Sequence, residues 1–131
     1  MNRFLLDTSI IIDYLRGRGE QVALVDTLDG ELVSSSICMA ELYEGVYRVT
    51  NPEDVLSSVE QFFAGLSAVY PVDQAIAREF GRLRASLHKE GERIEDLDVV
   101  IAATAIAHQC TVVTKNVRDF IRIPHLRVHG R

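Results

Sequence analysis

At 131 residues the chain is long enough for one domain with a sizeable core. Hydrophobic residues at 47% against charged residues at 25% exclude a disordered chain, and no apolar run nears the roughly 20 residues of a membrane span. A net charge of −5 argues against a simple basic nucleic-acid binder, yet 12 of the 14 basic residues are Arg, the side chain best shaped for bidentate phosphate contact.

The first expected element is a strand over Arg3–Leu6, followed by a helix from Ser9 to Arg16 that Gly17 stops. The opening apolar run meets Asp7 too soon for a signal peptide, so the expected location is the cytoplasm. Glu20 to Leu28 has helical spacing, and Glu31–Val33 is a short strand. Ser34, Ser35 and Ser36 supply capping hydroxyls for a helix from Ile37 to Val49. Pro52 fits the first turn of a helix that runs to Ala64. Leu66 to Val72 is a strand that Pro71 ends or marks as an edge.

Asp73 then caps an amphipathic helix in which Ile76, Phe80, Leu83 and Leu87 share a face before Gly91 stops it. Asp96 to His108 is a helix, Cys110–Thr114 a strand, Val117 to Ile121 a helical turn and Leu126–Val128 a last strand. No repeat or linker divides the chain, so residues 1–131 form one domain. Cys38 and Cys110 lack CxxC spacing and are expected as reduced core residues. Short apolar strands alternating with helices predict an α/β fold whose parallel sheet is covered on both faces. Ligands of such sheets bind beyond the carboxyl ends of the strands, where Asp7 and Thr114–Asn116 fall.

Most of the acids have ordinary explanations. Glu44 precedes Arg48 by four residues, as in a surface helix pair, and Asp13 points away from any face that Asp7 shares and is expected in solvent. Four acids resist such explanations. Asp98 shares a helix face with Ile101, Ala102 and Ala105, although Asp96 or Asp98 serving as helix cap explains the spacing equally well. Glu41 lies among Ile37, Cys38 and Gly45, and a glycine inside that helix suggests close approach of another group. Asp119 follows the Cys110–Thr114 strand, and Asp7 ends the first one. Carboxylates crowded at one sheet edge repel unless a divalent cation neutralises them. Oxygen-only ligands point to Mg²⁺ or Mn²⁺, and such an ion suits phosphoryl transfer.

LLDTSIIIDYL, SSICMAELYEGV, DLDVVIAATAIAHQCTVVTKNVRDF and IPHLRV, in that order over nearly the whole chain, resemble the PIN-domain ribonucleases. Within them they are most similar to the VapC-type toxins of bacterial toxin–antitoxin pairs. The resemblance implies a three-layer α/β/α sandwich with a central, mainly parallel sheet of about four or five short strands. It also implies a Mg²⁺-dependent endoribonuclease, with Mn²⁺ a possible substitute. Its acids map to Asp7, Glu41, Asp98 (in preference to Asp96) and Asp119, with Asn116 as a polar helper where some relatives carry Asp. Asp7 and Asp98 would hold the principal ion, with Glu41 and Asp119 acting through water or a second ion. Ser9 and Thr114 match the hydroxyls that orient such ligands, and Arg16, Arg18, Lys115 and Arg118 are candidates for holding RNA.

The resemblance further implies a homodimer and a small antitoxin, for which Tyr43, Val46, Tyr47, Phe62 and Phe63 offer a surface unless they are core. The rival readings are a receiver-like Mg²⁺-binding phosphoacceptor domain and a non-catalytic binding module of the same fold. A receiver usually carries an acidic pair after its first strand, where this chain has one acid followed by Thr-Ser. A haloacid-dehalogenase-like phosphatase would want DxD there, and the chain reads DTS.

Overall fold

The computed structural model describes residues 2–130. Strand β1 (Arg3–Leu6) buries Phe4, Leu5 and Leu6 in succession, the unbroken apolar run of a strand covered on both faces. Helix α1 (Thr8–Leu15) starts at once, with Asp7 as its N-cap, and ends at Gly17, whose φ of +72° suits glycine. Helix α2 (Gly19–Thr27) follows, then β2 (Glu31–Ser35) and α3 (Ser36–Tyr47).

Helix α4 (Pro52–Ala64) carries its proline in the first turn, where a missing N–H costs no helical bond. After β3 (Ala68–Tyr70), Asp73 Oδ1 accepts the Ile76 N–H at 3.0 Å and caps α5 (Gln74–Lys89). Ile76, Leu83 and Leu87 form the buried stripe of α5, which packs on α6 (Asp96–Ala107). In α6, Val99 and Ile101 to Ala105 are all buried, as in a helix enclosed on most sides. Strand β4 (Thr111–Val113), the short α7 (Val117–Phe120) and β5 (Arg127–Val128) complete the chain.

The five strands form one sheet in the order β3-β2-β1-β4-β5, and every neighbouring pair is parallel. With the seven helices of the described residues the sheet builds the three-layer α/β/α sandwich expected from the resemblance. Connections run outward from β1 to β2 and β3, then return to its other side for β4 and β5. The strand order therefore reverses between β1 and β4, the place where open α/β sheets bind ligands. Asp7 and Thr114 follow the carboxyl ends of these two strands, and the Asp7 N–H donates to Val113 O at 2.9 Å.

Two strands differ from expectation. β2 runs two residues further, through Ser34 and Ser35, which are fully buried. The Ser34 hydroxyl donates to Leu6 O at 2.8 Å, and Ser35 Oγ accepts the Cys38 N–H at 3.1 Å, so both hydroxyls have partners in the core. β3 is shorter than the span Leu66–Val72, because it lies at the sheet edge and Pro71 has no N–H to pair. Cys38 and Cys110 are free and buried. Val46 and Phe63 belong to the core, whereas Tyr47 is 67% exposed. Among the described residues no helix is long and apolar enough to cross a membrane. Replacing Ser35 with Ala removes the cap of α3 and is expected to lower unfolding free energy by about 1 kcal/mol, measured by urea denaturation.

Candidate active site

The site begins with a carboxylate that folding removes from water. Asp7 is 5% exposed, and that burial pushes its carboxyl above the ordinary range. Three donors oppose the shift: Thr114 Oγ1 at 2.7 Å and Ser9 Oγ at 3.4 Å on Oδ2, and the Thr8 N–H at 2.8 Å on Oδ1. The donors come from α1 and from the residue just after β4, so the carboxylate joins two pieces of chain 107 residues apart. The Asn116 N–H donates to Thr114 Oγ1 at 2.9 Å, and the Lys115 N–H to Ser9 Oγ at 3.2 Å, which holds both hydroxyls in place. Ser9, Thr114 and Asn116 thus gather around Asp7.

Glu41 faces the same end of the sheet from α3. Its Oε1 accepts the Thr8 hydroxyl at 2.6 Å, so adjacent residues of the DTS stretch serve two different acids. Sequence reasoning missed Thr8; the available signal was a second hydroxyl beside Asp7. Gly45, one turn beyond Glu41, does not mark close packing as expected. A Cβ placed there meets nothing within 4 Å. The glycine instead lines an open apolar cleft of about 420 Å³ that reaches Glu41 and includes Ile12, Leu42, Val55 and Val59.

Asp98 lies half-buried in the first turn of α6. Neither it nor Asp96 caps that helix: the N-cap is Glu95, which makes no side-chain cap bond, and Asp96 pairs with Arg84 at 3.3 Å. Among the described residues Asp98 has no hydrogen-bond or ion-pair partner. Burial, then the charges of Asp7, Glu41, Asp119 and Glu95, raise its carboxyl from 3.8 to about 6. The charges of the other three sequence-predicted acids thus act on Asp98.

Asp119 sits on α7 with both oxygens engaged. Asn116 Nδ2 donates to Oδ2 at 3.0 Å and Arg122 Nη2 to Oδ1 at 2.6 Å, and these contacts hold its carboxyl below the ordinary range. Arg122 also bonds Glu92 and Arg93 O, so it ties α7 to the loop between α5 and α6. This residue was not foreseen, although Asp119 and Arg122 stand three apart as on a helix surface.

The predicted basic residues divide. Arg16 and Arg118 are exposed and form no ion pair among the described residues. Lys115 and Arg18 are turned toward Asp13, and Asp13 itself corrects the sequence reading. Far from lying in solvent, it is 6% exposed, with Lys115 Nζ at 2.7 Å and Arg18 Nε at 3.7 Å. The hydrogen bond from Lys115 is the main cause of its lowered carboxyl pKa. Asp13 lies one turn beyond Ser9 on α1, and the residue that follows Thr114 covers that face.

Among the described residues no three His, Cys, Asp or Glu side chains stand as a ready-made metal cage. The donor set nonetheless fits a hard cation. It is all oxygen, and its charge is left uncompensated at Asp98. An ion held by one or two carboxylates and several waters matches the preference of Mg²⁺. Asp7 and Asp98 are the residues able to supply them.

The raised carboxyl of Asp98 carries a pH signature. Between pH 3.8 and about 6 the native state keeps a proton that the unfolded chain releases, so this group's contribution to stability falls as pH rises through the window. In metal-free buffer Asp98→Asn is expected to raise Tm at pH 7 and to lose that advantage below pH 4, as measured by thermal melts across pH.

Comparison with known proteins agrees with this architecture. The PIN domain family model matches residues 4–126. Ribonuclease VapC2 of Haemophilus influenzae is 33% identical over 131 residues, covering 99% of this chain and 98% of the relative. The DNA-bound VapBC structure from Salmonella typhimurium superposes with a TM-score of 0.89 at 33% identity, covering 98% of this chain and 97% of that one. VapBC-5 of Mycobacterium tuberculosis, a member of the VapBC family of toxin–antitoxin systems, gives a TM-score of 0.74 at 26% identity, covering 98% and 100%. A five-stranded parallel sheet with four acids at its switch point, matched along nearly its whole length, places the chain in the PIN-domain family, among its VapC members.

Proposed function

We propose that this chain is a Mg²⁺-dependent endoribonuclease and the toxin of a toxin–antitoxin pair. The observation that carries the reading is that Thr8 and Ser9, just past the end of β1, between them bond Asp7 and Glu41, with Asp98 in electrostatic reach of Asp7, Glu41 and Asp119. The names of the relatives support RNA as the substrate and an antitoxin as the partner.

In this reading Asp7 and Asp98 hold the ion, and Glu41 and Asp119 bound the site through water. When bound, Mg²⁺ supplies Lewis-acid polarisation of a phosphodiester and a nucleophile at neutral pH. The chain's own residues do the positioning. Thr114, Ser9 and the Thr8 N–H fix the Asp7 carboxylate, so no reorganisation is needed when charge develops. Thr8 holds Glu41, and Asn116 with Arg122 keeps Asp119 ionised. Of the four basic candidates, Arg16 and Arg118 form no ion pair among the described residues and are the ones available to meet the phosphates of an RNA strand.

The apolar cleft beside Glu41 is the surface we assign to the antitoxin. Exposed apolar side chains, Val49 and Val55 among them, line it next to the acids, so a segment lying there would also cover the site.

Asp7→Asn and Asp98→Asn are each expected to lower Mg²⁺-dependent RNA cleavage by about 100-fold or more, the scale of losing several kcal/mol of transition-state stabilisation. Full cleavage by Asp98→Asn, or undiminished cleavage in EDTA, would refute the reading. Val55→Asp is expected to weaken inhibition by the proposed cognate antitoxin while leaving cleavage unchanged, tested by titrating the antitoxin into the assay.

A further inference from the structure

Asp13 has no place in the proposed chemistry, yet folding buries it. A carboxylate taken out of water must be paired or hydrogen-bonded, and both of its oxygens are served. Lys115 Nζ lies 2.7 Å from Oδ2, across 102 residues of sequence, and Arg18 Nε lies 3.7 Å from Oδ1. The Asp13 side chain is 9% exposed and that of Lys115 is 52% exposed, so the carboxylate is the deep partner and the lysine reaches in to meet it.

The backbone of Lys115 belongs to the segment that aligns Asp7. Its N–H donates to Ser9 Oγ at 3.2 Å, and Ser9 donates to Asp7. The preceding residue, Thr114, donates to Asp7 directly, and the N–H of the following residue, Asn116, fixes the Thr114 hydroxyl. Lys115 is therefore attached to one face of α1 at two points a turn apart: its backbone to Ser9 in the first turn and its side chain to Asp13, four residues on.

We infer that Asp13 and Lys115 are a positioning pair that clamps residues 114–116 against α1 and thereby sets the orientation of the Asp7 carboxylate. The inference rests on the proposed role of Asp7 as a metal ligand. It removes Lys115 from the residues that contact RNA. A lysine held at 2.7 Å by a buried carboxylate is not free to follow a phosphate backbone without leaving that carboxylate unpaired. The pair acts through Ser9 and Thr114 and touches neither substrate nor ion.

Three variants test this: Asp13→Asn, Lys115→Met and Lys115→Arg, together with the Asp13→Asn/Lys115→Met double variant. The readouts are Mn²⁺ affinity without RNA, by calorimetric titration, and kcat and KM for RNA cleavage. Each of the first two variants is expected to weaken Mn²⁺ binding and lower kcat by about three- to tenfold, less than the roughly 10- to 100-fold typical of losing a group bonded directly to a ligand. KM is expected to stay within about twofold, and the double variant to cost no more than one single variant, as for residues acting as a unit. Lys115→Arg is expected to restore most of the loss.

A rise in KM for Lys115→Met with Mn²⁺ affinity intact would overturn the inference in favour of direct RNA contact, as would a fall in KM for Asp13→Asn. Unchanged Mn²⁺ affinity and kcat in both single variants would overturn it in favour of a stabilising pair alone. Should Asp13→Asn fail to fold, Lys115→Met and Lys115→Arg still decide, because that side chain is half-exposed. Wild-type protein that binds no Mn²⁺ would overturn the nuclease reading and this inference with it. Wild-type binding with unaltered variants overturns the inference alone.

Discussion

The burial of one carboxylate organises this molecule. Asp7 ends the central strand at the point where the sheet changes direction, and folding leaves it almost no contact with water. An ionised group there is tolerable only if donors are fixed around it. The chain supplies them from two sources, the first turn of α1 and the residue that follows β4, so meeting the needs of Asp7 also locks β1, α1 and β4 together. The electrostatic requirement and the tertiary contact are the same set of bonds. Around that centre the buried hydroxyls of Ser34 and Ser35 do related work, joining β2 to β1 and starting α3, the helix that presents Glu41.

Much of this was legible in the sequence, for identifiable reasons. Helix α4 starts where expected because Pro52 is a local signal, and α5 is bounded by the Asp73 cap and by Gly91 at φ +73°. The length of β2 was harder to read. Ser34 and Ser35 look like loop residues until their partners, Leu6 O and the Cys38 N–H, are known. The four acids could be singled out because each interrupts an apolar pattern. Spacing alone left Asp98 open as site or helix cap, and the structure rules out the cap: Glu95 is the N-cap, Arg84 pairs with Asp96, and Asp98 feels the charges of the other acids.

The misreadings share one cause. Asp13 reads as a solvent residue from its helix position alone, but a helix face is solvent only if nothing else packs on it. The covering group, Lys115, is 102 residues distant. Gly45 was misread in the opposite direction, since a helix glycine can serve closeness or openness and the local sequence is the same in both cases. Thr8 escaped notice because its partner Glu41 lies 33 residues away on another helix. Periodicity reports which residues share a face; it carries no information about what arrives from elsewhere.

Charge compensation then divides the four acids and bears on the proposed chemistry. Asp119 is neutralised by Arg122 and hydrogen-bonded by Asn116, so its field on an incoming ion is weakened. Asp13 is likewise neutralised by Lys115. Asp7 is surrounded by neutral donors and Glu41 by a hydroxyl, and neither has a cationic partner among the described residues. Asp98 has no partner of any kind there. The uncompensated charge is thus concentrated at Asp98 and Asp7. In the proposed reading an ion drawn by that field settles at those two carboxylates, with Glu41 close enough to contribute its charge. Arg122 already performs at Asp119 the neutralisation that a second ion would otherwise provide. The receiver-like alternative accounts for none of this partition, because a phosphoacceptor aspartate gains nothing from a Thr–Asp–Ser clamp that draws its donors from both sides of the switch point.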